Sequence, residues 1–338
     1  MTLLSDRPRP PVPRAAVAPA ALSLSHRLAT ALGVGDAGLD ELLGAEPVDR
    51  RDRFLTLLTI YDLQTAPLQR LAGAERHQWH PVVVDLKRRL ERSWLDELEA
   101  VPVPVDLSDD AVAAMRSLAA RDRLPTPYRW LAKDANWSEV VHFLALEGGP
   151  DGGFDDLVAQ CQIGLSGSAK LELAQNYWDE MGNGTLARVH TVMHDDLVTA
   201  IDMPRIPREE QPVEALERVA LGGLFATNRW LQPEMLGALG LLELQAGPRC
   251  RMVLQAFDRL GAPSGAYPFY VEHAEVDPRH GKDWLEKAIG PLSVELPTWA
   301  PRMVRGAWWR ARTNAALFDH IHDRLTGASA RGADAAAG

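Results

Sequence analysis

The sequence predicts an all-α fold. Nearly every segment sets apolar residues three and four apart with charges between them, the period that buries one face of a helix. No alternating stretch recurs with turn signals, as a sheet would require. Asp109-Asp110, ahead of AVAAMRSLAARDR, supplies a helix-start signal where the longest helical region begins.

Taken in order, residues 1–22 are rich in Pro, Ala and Arg and are expected to be disordered or loosely docked. Residues 23–108 carry a few N-terminal helices and a linker. FLTLLTIYDLQTAPLQRLAG (54–73) and VVVDLKRRLERSWLDELEA (82–100) are amphipathic, whereas VPVPVDL (101–107) alternates but is interrupted by proline and reads as linker. Residues 109–325 form a longer helical domain, and the Ala- and Gly-rich stretch 326–338 reads as a flexible tail. No internal repeat is visible.

Composition removes several classes of function. Hydrophobic residues at 46% and charged residues at 24% are ordinary for a globular chain with a sizeable core. A formal charge of -10 argues against nucleic acid, which wants clustered Lys and Arg. The basic runs RRDR (50–53) and KRRLER (87–92) are interleaved with acids and read as solvated helix faces. Cys161 and Cys250 are too few for a disulfide framework or a thiolate metal site and read as reduced, packed residues. No apolar run approaches the roughly 20 residues that span a bilayer. RPRPPVPRAAVAPAALS has proline where a secretion signal needs an apolar helix. A cytoplasmic protein with neither a nucleic-acid nor a membrane partner is expected.

The informative stretch is 139–285, where acids and histidines accumulate on apolar helices. In PFYVEHAEVDPRHGKDWLEKA (268–288), His273, Asp277 and His280 lie at i, i+4 and i+7. These positions differ by only about 40° around a helix, so all three project from one face. Imidazoles and a carboxylate together suit a divalent first-row metal; the alternative is an exposed charged face that binds nothing. Pro278 falls inside the motif and should kink or loosen the helix.

A second signal is LELAQNYWDEMGNGTLARVHTVMHDDL (171–197). Glu180 sits on an apolar helix and His190 follows ten residues later. On a straight helix that spacing means a rise of about 15 Å and an offset of about 80°, too far for both to reach one centre. Either the Met-Gly-Asn-Gly stretch breaks the helix, which two glycines in four residues make plausible, or one residue is not a ligand; His190 is slightly favoured over His194. Glu147 ends VVHFLALE, and Glu243 lies within MLGALGLLELQAG. Each is costly to bury unless paired or metal-bound, and each could equally be a salt-bridged helix-end residue. Gathered together, carboxylates and histidines on separate helices follow the logic of carboxylate-bridged metal pairs in helical bundles.

The order ALEGG, NYWDEMGNG, a histidine, GALGLLEL and YVEHAEVDPRH resembles the haem-oxygenase-like diiron oxidases, also described as iron-containing redox enzymes. The resemblance covers roughly residues 125–300. It implies a haem-oxygenase-like helical bundle, here with extra N-terminal helices. It also implies two iron ions held by Glu180, His190, Glu243, His273, Asp277 and His280, and raises His190 well above His194. Glu147 matches an additional carboxylate of the nitrogen-oxygenating branch, although its separation from Glu180 is longer than expected there. The resemblance further implies dioxygen as co-substrate and a small amine- or amino-acid-derived substrate that is oxygenated. Oxidative decarboxylation, desaturation or carbon–carbon cleavage is the alternative outcome, and a non-catalytic helical binding module is the other reading.

No flavin or nicotinamide motif is present, so electrons would come from an external donor, a reductase or a chemical reductant. GGPDGG (148–153) follows a helix, not a strand, and reads as a loop. Arg249, Tyr267 and Tyr270 flank ligand-bearing segments and could bind a substrate carboxylate or line a pocket, or else serve packing. Trp178 and Trp230 read as core aromatics, His320 and His322 as surface residues. A homodimer is compatible with the sequence.

Overall fold

The computed structural model describes residues 22–106, 110–148 and 153–336. Among them are fifteen α-helices and no strand. The N-terminal residues 1–21 and most of the GGPDGG loop lie outside the described residues.

The N-terminal layer comprises α1 (Leu24–Val34), α2 (Asp36–Asp40), α3 (Arg50–Thr65) and α4 (Pro81–Glu99). One face of α3 and α4 closes a small core with Leu28 and Leu39 through Ile60, Val83 and Leu86. The other face, Phe54, Leu57, Tyr61 and Trp94, enters the main core beside Leu216, Leu221 and Leu224. Burying each such side chain contributes about 1.5–3 kcal/mol, so the N-terminal helices are fastened to the bundle through a shared interior. The start of α1 is capped from α3, where the Asp52 carboxylate accepts the Leu24 and Ser25 amides at 2.8 Å each.

The main bundle runs α5 (Ala111–Arg121), α6 (Thr126–Lys133), α7 (Trp137–Glu147), α8 (Phe154–Cys161), α9 (Gly167–Glu180), α10 (His190–Ala200), α11 (Val213–Thr227), α12 (Gln232–Leu260), α13 (Tyr267–Asp283), α14 (Gly290–Glu295) and α15 (Ala300–Ala336). Asp110 caps α5 by accepting the Val112 amide at 2.8 Å, in line with the start signal in the sequence. The 29-residue α12 is buried on nearly every side between α13 and α15, as its Leu-, Ala- and Gly-rich composition requires.

The α12–α13 crossing positions the site. A Cβ on Gly281 would stand 2.9 Å from Leu244 Cα and 3.0 Å from the Glu243 carbonyl carbon, so the absence of a side chain lets the two backbones touch. One turn away, the Pro278 ring packs on Gly247 in the same way. Pro278 does not break α13, contrary to the expectation of a loosened helix. A proline at this position leaves the Ala274 carbonyl without its i+4 amide, and Arg251 Nη1 of α12 donates to that oxygen at 2.8 Å. Beyond α13 the chain widens into a π-helical turn, Trp284–Ile289, where Trp284 Nε1 donates to Leu236 O at 3.1 Å.

Two tryptophans differ from expectation. Trp178 and Trp230 are 49% and 57% exposed, not core residues. The buried positions around Trp178 are Asn176, Asp179 and Glu180, so α9 turns its polar residues inward and its tryptophan outward. The backbone of α15 is helical to Ala336, in keeping with alanine's high helix propensity.

Gly281→Ala should force α12 and α13 apart and lower stability by about 1–3 kcal/mol, read from the urea unfolding midpoint. Gly33→Ala, where an added Cβ meets nothing within 4 Å, should be neutral or stabilising.

Candidate metal centre

Glu180 is the last residue of α9 and His190 the first of α10. Between them Gly182, Asn183 and Gly184 take successive left-handed conformations with φ of 60°, 53° and 80°. Only glycine, and less readily asparagine, adopts these at low cost. The chain doubles back so tightly that a Cβ on Gly182 would lie 2.4 Å from the Arg188 carbonyl carbon. The ten-residue separation is thereby folded away, and His190 Nδ1 comes 2.7 Å from Glu180 Oε2, off the line of a hydrogen bond. The break inferred from the glycines is present, and it brings in His190, not His194. The His194 ring packs on Phe269 with centroids 5.2 Å apart.

Two groups of side chains result. Glu180, His190 and His273 offer ligand atoms all within 4.8 Å of one another, and so do Glu180, Glu243 and His280. Glu180 belongs to both. Asp277 borders the second group, its Oδ1 4.0 Å from His280 Nδ1. The His190 and His273 rings are 4.5 Å apart, centroid to centroid.

Each side chain has a definite support. His273 Nδ1 donates to the Phe269 carbonyl at 2.7 Å, one turn back on α13, which leaves Nε2 as its free nitrogen. Asn176 Nδ2 donates to Glu243 Oε1 at 2.7 Å. His280 Nε2 lies 2.9 Å from Asp179 Oδ2, which also accepts from Arg279 at 2.8 Å. Asn176 and Asp179 were not singled out in the sequence. Their one signal is proximity to Glu180 on α9, and polar neighbours of a carboxylate ordinarily read as a solvated face.

The electrostatics of the site are set by burial and by mutual contacts among its acids and histidines. Burial, reinforced by Glu243 and Glu180, pushes Asp277 well above the usual carboxylate range. Burial likewise raises Glu180, against the pull of His190. His273 is driven down to about 3 by burial and by His190 beside it. His280 goes the other way: burial opposes its charge, but the Glu243 and Asp179 carboxylates hold it at about 9. Asp277 Oδ2, His280 Nδ1 and His190 Nδ1 are buried without a hydrogen-bond partner. Unpartnered buried polar atoms, carboxylates raised by burial and one imidazole driven toward its neutral form fit a bound divalent cation, which would satisfy all three. The donor set of carboxylates and imidazoles suits iron.

The remaining candidates lie elsewhere. Glu147 belongs to neither group: its Oε1 accepts from Tyr128 Oη at 3.1 Å and lies 3.8 Å from Arg218 Nη2. Arg249 is buried with its guanidinium donating to the Asp122 carbonyl at 2.8 Å and lying over the Tyr128 and Phe318 rings. Tyr267 Oη donates to Asp258 at 3.1 Å. Tyr270 is buried against Phe257 and Phe269. Arg249 and Tyr267 are thus engaged in packing contacts. Cys161 and Cys250 are free and buried, and burial raises both thiols. His320 and His322 are partly exposed beside Glu214 and Asp323.

An all-helical bundle that converges carboxylates and imidazoles on its interior defines a class of metal-dependent redox proteins. Residues 141–315 match the family model described as iron-containing redox enzyme. That is just over half of the chain, and the protein belongs to this family: it is an iron-dependent oxidoreductase of haem-oxygenase-like fold. No curated protein matches the chain. No helix among the described residues is long and apolar enough to cross a membrane.

The His280 value sets a pH dependence for the metal-free protein. Its imidazolium is stabilised in the fold, so its contribution is complete below the ordinary value of 6.5 and is lost as pH rises through about 9. Calorimetry of metal-free protein between those limits should show a falling melting temperature that flattens in His280→Gln.

Proposed function

We propose that the chain binds two irons on either side of Glu180 and uses them, with dioxygen and electrons from an external reductant, to oxidise a small amine- or amino-acid-derived metabolite. The observation that carries this reading is the membership of Glu180 in both ligand groups. A carboxylate has two oxygens, and one placed between two clusters can bridge two metals.

Iron(II) at both positions would supply the electrons that reduce dioxygen. The protein's own part is to hold and shape the site. His190 and His273 serve one side, with the Phe269 carbonyl directing Nε2 of His273 toward Glu180. Glu243 and His280 serve the other, with Asn176 fixing Glu243 Oε1 and Asp277 adjoining. The close α12–α13 crossing excludes water from Glu243, Asp277 and His280, each under 5% exposed. A dry site strengthens the electrostatic pull of these groups on a cation.

Nitrogen oxygenation as the specific outcome rested on Glu147 as an additional ligand. Because Glu147 is engaged by Tyr128 and lies outside both groups, the reading is kept at oxidation of a small metabolite. No flavin or nicotinamide motif is present, which supports an external donor. The binding-module reading has no use for three acids buried among histidines, one of which, Asp277, leaves a carboxylate oxygen without a partner.

Protein loaded anaerobically with Fe(II) should hold about two irons per chain, as two-metal sites do. Glu180→Ala should fall furthest in iron content, and Glu243→Ala should keep the side formed by His190 and His273. Oxygen uptake with reductant should follow iron content. Substoichiometric iron in the parent, indifferent to Glu180→Ala, would return the chain to a scaffold.

A further inference from the structure

The two histidines on α13 present opposite nitrogens to the interior, and the difference traces to what stands behind each ring. Behind His273 is a backbone carbonyl, Phe269 O, 2.7 Å from Nδ1. Behind His280 is the Asp179 carboxylate, 2.9 Å from Nε2. An ionised carboxylate only accepts, so Nε2 of His280 must carry the proton. Nδ1 is then the atom left facing inward, 3.6 Å from Glu243 Oε2 and 4.0 Å from Asp277 Oδ1, with no hydrogen-bond partner of its own.

Asp179 is itself well held. Its Oδ2 also accepts from Arg279 Nη2 at 2.8 Å, and its Oδ1 accepts from Gln175 Nε2 at 3.1 Å, one turn back on α9. It immediately precedes Glu180. One turn of α9 therefore supplies a carboxylate to both ligand groups and, from the adjacent residue, a second carboxylate behind a histidine of one group.

Resting on the proposed iron site, we infer that Asp179 is a positioning residue that selects the Nδ1-presenting form of His280 and anchors the metal beside Glu243. A carboxylate behind an imidazole fixes its tautomer and ring plane and makes it a more basic ligand than a carbonyl does. The metal held through His280 is accordingly served by a carboxylate-backed imidazole, the one held through His273 by a carbonyl-backed imidazole.

Titration with Zn(II), a diamagnetic probe, tests this when combined with nitrogen-15 spectra of the histidine rings. The parent should bind with His280 metallated at Nδ1 and protonated at Nε2. Asp179→Asn, which keeps the shape and an acceptor oxygen, should preserve that ring signature while weakening the site beside Glu243 by about 10- to 100-fold. Asp179→Ala should weaken it further and lose the Nε2–H signature. Arg279→Ala, which removes the other donor to the same oxygen, should leave both readouts unchanged. Melting temperatures separate folding from metal affinity, and Asp179→Asn carries the test if the alanine variant does not fold. Equal affinity in parent and Asp179→Asn, or an equal loss in Arg279→Ala, would overturn the role of Asp179 alone. A parent that takes up no metal would overturn the iron site and this inference with it.

Discussion

Three carboxylates, Glu180, Glu243 and Asp277, are buried within reach of one another at the heart of the bundle. Everything else about the site answers to that constraint. Desolvating a single ionised carboxylate costs several kcal/mol unless it is neutralised or paired, and like charges brought together raise that cost. No lysine or arginine bonds directly to these three among the contacts of the described residues; the balancing groups are histidines, which can pair with acids but can also give way to a metal. A divalent cation would resolve the conflict without rearranging the helices. The tension in the metal-free state is the counterpart of affinity for the metal.

Two backbone devices create this concentration of charge. At the α12–α13 crossing, Gly281 lets the Glu243 backbone touch the helix that bears Asp277 and His280. After α9, the left-handed run Gly182-Asn183-Gly184 folds the chain back and sets His190 against Glu180. Both devices depend on the absence of a side chain. Both act on helices otherwise fixed by ordinary apolar packing, through Trp284 on one side and Leu173 and Ala169 on the other. The fold is therefore rigid where ligands must converge, and the polar supports Asn176, Asp179 and Phe269 O only trim orientations that the backbone has already imposed.

The helical character of the chain was legible because apolar period and helix-start signals repeat along it. The His273, Asp277 and His280 face was legible for the same reason: spacing along one helix fixes relative direction. The Glu180–His190 pairing was half legible. Glycines announced a break, but its direction depends on three successive positive φ angles that no spacing rule specifies. Glu147 shows the opposite limit, since an acid at the end of an apolar helix does not disclose its neighbours in sequence; here its Oε1 accepts from the Tyr128 hydroxyl. Asp179 and Trp178 were unreadable because α9 inverts the usual rule at its last turn, turning polar residues in and an aromatic out. Such inversions occur where a site, not a core, is being built.

The most direct test of the account is anomalous diffraction at the iron edge from crystals of Fe(II)-loaded protein. The account predicts two peaks with the Glu180 carboxylate between them, one beside His190 and His273, the other beside Glu243 and His280. A single peak, or density away from Glu180, would contradict it.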